Sequence, residues 1–131
     1  MKPRINIITL GVSDLKTSTK FYQKFGFSLQ PGSEAISFFR LTGTWLALFP
    51  KPALAKDANV SLKGNGFSGF TLAHNVRSKQ EVDKIMKRAK SIGAKITDQA
   101  HDRNWGGYSG YFTDLDGYLW EVAWNPYFQV D

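Results

Sequence analysis

Apolar and polar residues alternate with a period of two in several short runs and follow a helical period in two longer ones. Residues 5–13 read as a strand. Residues 15–25 read as a helix with Leu15, Phe21, Tyr22 and Phe25 on its apolar side, Asp14 or Thr17 as its cap and Gly26 as its stop. Three short strands are predicted at 27–30, 35–41 and 44–49, with turns at Pro31-Gly32 and Thr42-Gly43. The pattern then recurs as a strand at 69–76, a helix at 78–92, and strands at 95–98, 108–114 and 119–124. The second helix is the better marked: Ser78 and Glu81 spell a capping box, Val82, Ile85, Met86 and Ala89 form a stripe, and Gly93 ends it. Between the halves, residues 50–66 hold Pro50, Pro52, Gly64 and Gly66 without a steady period and read as a linker.

The order is βαβββ, twice. A helix on one face of each sheet leaves the other face free, so the pattern predicts an α+β fold: two βαβββ modules forming a curved mixed sheet around a central cavity. Module one would span residues 1–50 and module two residues 67–131, within a single domain of 131 residues.

The last hairpin carries the most chemistry. Asp114-Leu115-Asp116-Gly117 is a turn in which the aspartates can bond local backbone and Gly117 can take a positive φ. In the strand after it, Trp120, Val122 and Trp124 share one face and Glu121, Ala123 and Asn125 the other. A carboxylate on an enclosed sheet face needs a donor, a metal or a ligand.

Composition narrows the class. Hydrophobic residues make up 42% and aromatic residues 15%, which suits a globular domain. There is no cysteine, so disulfides, thiolate metal sites and cysteine nucleophiles are excluded. No apolar run is long enough for a membrane helix and the start lacks a secretory pattern, so a soluble cytoplasmic protein is expected. The net charge of +6 resides largely in Lys79, Lys84, Lys87, Arg88 and Lys90 along one helix. No aromatic residues interleave with these charges, so they read as a solvated face; no nucleic-acid or membrane partner is expected.

The segments ITLGVSDLKTSTKFYQKFGF and DLDGYLWEVAWNP resemble the vicinal-oxygen-chelate superfamily, which includes glyoxalase I, ring-cleaving dioxygenases and bleomycin-resistance proteins. The resemblance spans essentially the whole chain and is strongest to a small glyoxalase-like branch. It implies metal ligands on the first and last strands of each module, which here fall at Ile7, Ala47, Gly69 and Glu121. Only Glu121 has a donor side chain, so no metal and no other cofactor is expected. Shifting the alignment by one residue offers Asn6, Ile8, Leu46, Leu48, Ser68 and Phe70, which is no improvement.

Strand parity with these positions proposes Thr9, Trp45, Phe49 and Thr71 as cavity lining, joined by Tyr111, with Trp105 closing the mouth. His74 shares the helix-facing side of its strand. His101, in the loop segment QAHDRNWGGY, is a candidate acid–base partner for Glu121. Three functions fit: a metal-free small-molecule binding protein, a lyase- or isomerase-type enzyme with Glu121 as base assisted by His101, Tyr108 or Tyr111, or a non-catalytic interaction module. A neutral ligand is favoured beside Glu121, ahead of an anionic one. Exposed sheet edges, and the habit of relatives, lead to the expectation of a homodimer.

Overall fold

Asp14 starts the first helix. Its carboxylate accepts from the Thr17 backbone N–H at 2.9 Å, so of the two candidate caps this is the one used. The structure, a computed structural model, describes residues 1–3, 5–64, 66–68 and 70–127. Two compact units divide the chain, Met1–Asn65 and Gly66–Asp131.

In the first unit, β1 (Ile7–Val12) leads into α1 (Leu15–Lys24), followed by β2 (Ser37–Phe39) and β3 (Trp45–Pro50). The sheet order is β1-β3-β2, with β1 parallel and β2 antiparallel to β3. Phe21 and Tyr22 of α1 are buried, with Leu10, Val12, Phe39, Leu46 and Leu48 of the sheet. Phe27 stacks on Tyr22 with ring centres 5.8 Å apart and meets Phe39 at 6.1 Å. A buried hydroxyl pair, Thr19 and Ser37 at 2.6 Å, ties α1 to β2.

Two sequence expectations change here. Residues 27–30 form no strand: Leu29 makes one isolated bridge to Phe39, and pairing stops at Pro31, which has no N–H to donate. Residues read as an unstructured linker begin with a helix, α2 (Lys51–Ala58). Pro52 stands in its first turn, where a missing N–H costs nothing, and Asn59 closes it in the left-handed region at φ 56°. The helix lies on Gly11, where an added Cβ would sit 3.2 Å from Lys51 Cγ and 3.4 Å from Leu54 Cδ2.

The second unit keeps the expected order: β4 (Leu72–Val76), α3 (Lys79–Ser91), β5 (Lys95–Asp102), β6 (Tyr108–Thr113) and β7 (Leu119–Trp124). Its sheet runs β4-β7-β6-β5, with only β4–β7 parallel. Ser78 Oγ accepts from the Glu81 N–H at 3.2 Å, while the Glu81 carboxylate accepts from the Arg77 N–H at 3.1 Å, one residue before the textual capping box. Val82, Met86 and Ala89 are the buried residues of α3. Register irregularities between Ile96 and Asp98 and between Asp98 and His101 carry β5 four residues beyond its expected end. At the Asp114 turn, its buried carboxylate accepts from the N–H groups of Asp116 and Tyr118, each at 2.9 Å, and Gly117 takes φ 86°. The α+β class is as expected, and among the described residues no helix is long and apolar enough to cross a membrane.

Candidate functional site

Pairing across the second sheet sorts its two faces. An added Cβ on Gly110 would lie 2.8 Å from Met86 Cε, and Gly110 pairs with Val122; this face looks at α3. Trp120, Val122 and Trp124 belong to it, as parity predicted. Tyr108 belongs to it too, its hydroxyl donating to Asp83 of α3, while Lys79 lies 5.6 Å from the Tyr108 ring centre and 5.8 Å from that of Trp124. Tyr108 therefore sits on the wrong side of the sheet to assist Glu121. The Asp83 carboxylate beside it pushes the Tyr108 phenol up to about 12. His74 shares the α3 side: partial desolvation of its ring lowers its pKa although the residue is exposed, and Glu81 opposes this.

The opposite face carries a cross-strand row, Ala73–Glu121–Tyr111–Asp98, one residue from each of β4, β7, β6 and β5. Tyr111 and Glu121 are register partners across β6 and β7, with the phenol beside the carboxylate. Burial raises the Tyr111 pKa, and Glu121 adds to the rise through its charge and side-chain hydrogen bonding. Tyr111 is thus held as a neutral phenol beside the Glu121 carboxylate.

Arg103 closes one end of the row. Its Nη2 donates to Asp98 Oδ2 and to the Ser109 carbonyl, both at 2.9 Å, and its Nε donates to Ser109 Oγ at 2.8 Å. The guanidinium carbon lies 5.6 Å from the Tyr111 ring centre. Hydrogen bonding from Arg103, and secondarily from His101, holds the Asp98 carboxyl below its ordinary value. The Arg103 charge is therefore matched by Asp98. Glu121 is the carboxylate on this face without a cation of its own among the described contacts.

His101 is not in a loop. The lengthened β5 includes it, paired with Ser109, with Nε2 3.3 Å from Asp98 Oδ2 and Nδ1 2.8 Å from the Asp102 carbonyl oxygen. It reaches the row through Asp98. Trp105 stands in the turn between β5 and β6, its ring folded onto Gly107, where an added Cβ would overlap it. Thr71, exposed, immediately precedes β4. In the first unit, Thr9 pairs with Ala47, and Phe49 pairs with Gly11 beside α2. Trp45 is half-buried, its ring edge-on to Phe38 at 6.4 Å. Of the candidate residues in the second unit, Glu121 and Tyr111 are brought into contact. Sequence reading missed Asp98 and Ser109, because the irregular register of β5 defeats simple alternation.

The four metal-ligand positions can be tested against the pairing. Thr9 faces Ala47 as Ala73 faces Glu121, so the second-unit counterpart of Ile7 is Thr71 rather than Gly69, which lies outside the described residues. Isoleucine and alanine side chains have no donor atoms, and one threonine with one glutamate does not make a metal centre. Among the described residues, no group of three or more histidine, aspartate or glutamate side chains could hold a metal ion. This donor set does not fit the metal of the resembled enzymes.

Comparison with known proteins places this geometry. Residues 4–122 match the model of the Glyoxalase/Bleomycin resistance protein/Dioxygenase superfamily. A glyoxalase-related enzyme from Fulvimarina pelagi superposes with a TM-score of 0.91 at 34% identity, over 98% of this chain and 93% of that one. The metallothiol transferase FosB of Lysinibacillus sphaericus is 30% identical over 89% of this chain and 79% of its own length. The fosfomycin resistance protein FosX of Listeria monocytogenes has a TM-score of 0.75 at 27% identity, over 95% of each chain.

Proposed function

Because the chain belongs to the glyoxalase/bleomycin resistance protein/dioxygenase superfamily, we propose that it binds a small molecule on the sheet face that carries Glu121 and Tyr111, with no metal held at the superfamily's ligand positions. The observation that supports this reading is the Glu121–Tyr111 pair itself: a carboxylate and a neutral phenol side by side, away from the helix, next to an arginine already satisfied by Asp98. Such a pair offers one acceptor and one charge to a ligand that brings hydrogen-bond donors. Thr71 and Trp105, in the same unit, remain proposed lining residues.

A catalytic reading rests on the same pair. Glu121 would take a proton from a carbon acid or hydroxyl and Tyr111 would donate to the developing charge, in lyase or isomerase chemistry. Of the three proposed assistants, Tyr111 alone among the described contacts touches Glu121.

A thermal-shift and tryptophan-fluorescence screen of a metabolite library tests the binding reading, with fosfomycin, a phosphonate anion, included because FosX is a fosfomycin resistance protein. At least one compound raises the melting temperature of the natural chain and fails to do so in Glu121→Gln. If no compound acts, or if every active compound acts equally on Glu121→Gln and Tyr111→Phe, the reading is wrong. Turnover of a bound compound, abolished in Glu121→Gln, would favour the catalytic form over simple binding.

A further inference from the structure

The Glu121–Tyr111 row continues along its strands into a cleft. Leu119 lies two residues before Glu121 on β7, and Thr113 two residues after Tyr111 on β6, so both share the open face. With Thr97 they line a cleft of about 210 Å³ whose other walls include the rings of Phe67, Phe70 and Tyr118. Phe70 and Tyr118 lie 6.0 Å apart and tilted by 33°, and Phe67 and Phe70 are 71% and 41% exposed. Large aromatic surfaces left open at a concave site gain from being covered. Among the described residues, no ionisable group other than the Tyr118 phenol lines the cleft.

Resting on the binding reading above, we infer that the ligand is an arylalkyl-ammonium compound: one neutral aromatic ring in the cleft, with a primary ammonium on a short carbon arm donating to Glu121. Size, spacing and charge each select this class. An apolar cavity of about 150 Å³ takes a benzene ring, so this cleft suits a single ring rather than a fused drug scaffold. Two residues of strand separate the cleft floor from Glu121, about 7 Å, which a ring with a one-carbon arm and one N–H···O bond spans. Within the row, Glu121 and Asp98 confront the Arg103 guanidinium, and Asp98 is the carboxylate that Arg103 holds; Lys95, paired with Thr113, adds an exposed ammonium to the same face but has no described contact with Glu121. An anionic ring substituent would meet the remaining carboxylate, and a neutral one would leave it without a counter-charge. The positive charge of α3 lies on the other side of this sheet, where salt screens it from the Glu121 face.

Amide NMR titrations of the full chain with benzylamine, benzyl alcohol and benzoate test the assignment. Benzylamine shifts the amides of Thr113, Tyr118 and Leu119 together with those of Tyr111 and Glu121. Benzyl alcohol binds there about tenfold or more weakly, and benzoate does not bind. Glu121→Gln, which keeps a partner for Tyr111, removes the tenfold preference for the amine, and Phe67→Ala, at an exposed position, weakens both compounds. Equal binding of benzylamine and benzoate overturns the inference, as does benzylamine binding unaffected by Glu121→Gln. If aryl compounds leave the cleft amides unmoved while another library compound shifts Tyr111 and Glu121, this inference fails and the broader binding reading stands. If nothing shifts Tyr111 and Glu121, both fail.

Discussion

Asp114 holds the β6–β7 turn by accepting two backbone N–H bonds within a site where its own side chain is almost fully buried. Asp114→Ala leaves both donors without that partner, and equilibrium urea unfolding should show a loss of about 2–3 kcal/mol. Gly117 and Gly110 differ instructively. At Gly117 there is open space and φ 86°, so an alanine costs about 1 kcal/mol in backbone strain alone. At Gly110 the obstacle is Met86 and the Ala100 backbone. The turn was legible in the sequence because Asp-x-Asp-Gly has local chemistry. The packing around Gly110 was not, since it depends on an element from elsewhere in the chain. Tyr108 gives a pH prediction. Its folded pKa of about 12 lies above the ordinary tyrosine value, so its contribution to stability is complete below pH 10 and is lost as pH rises toward 12. Tyr108→Phe should therefore flatten the fall in melting temperature between those limits, and absorbance at 295 nm should report the late titration.

At the scale of elements, α3 was legible nearly to the residue, because Ser78, the apolar stripe and Gly93 all agree. Ser78→Ala should cost about 1 kcal/mol, read from the shift of the urea midpoint at unchanged slope. Residues 27–30 were over-read: Phe27 and Leu29 alternate as a strand would, but Phe27 is used in the aromatic cluster with Tyr22 and Phe39. The helix α2 was under-read for the opposite reason. It has eight residues, a proline as its N-cap, another in its first turn and one buried residue, Ala55, so its apolar period is too weak to stand out. On β5, the register irregularities moved His101 from an expected loop into a strand and brought Asp98 under Arg103. Alternation is a rule about regular strands, and the candidate site sits where one strand is irregular.

For the whole molecule, the basic side chains of α3 are exposed, as expected of a wet helix face, and the basic balance bears on what approaches rather than on the fold. Ile5 and Ile7 are 67% and 47% exposed at the start of the chain, apolar surface that a second copy would cover. A homodimer is the expected state, and sedimentation equilibrium across the micromolar range should give twice the chain mass. A monomer throughout that range would refute it, and Ile5→Lys with Ile7→Lys should shift the balance toward monomer.

The grip on Arg103 has a consequence for how the chain meets proteases. Asn104, Trp105 and Gly106 form an exposed turn, the kind of place where trypsin nicks a folded protein, and Arg103 supplies the residue trypsin selects. Cleavage, however, requires the guanidinium to leave the protein and enter the protease's own specificity pocket. Here the side chain is only 18% exposed and is fastened to Asp98 and Ser109, while the Arg103 N–H donates to the Gly107 carbonyl at 2.8 Å. Limited digestion should spare the Arg103–Asn104 bond while exposed lysines are cut. Asp98→Asn should make that bond one of the early sites, which mass spectrometry of the first fragments would reveal.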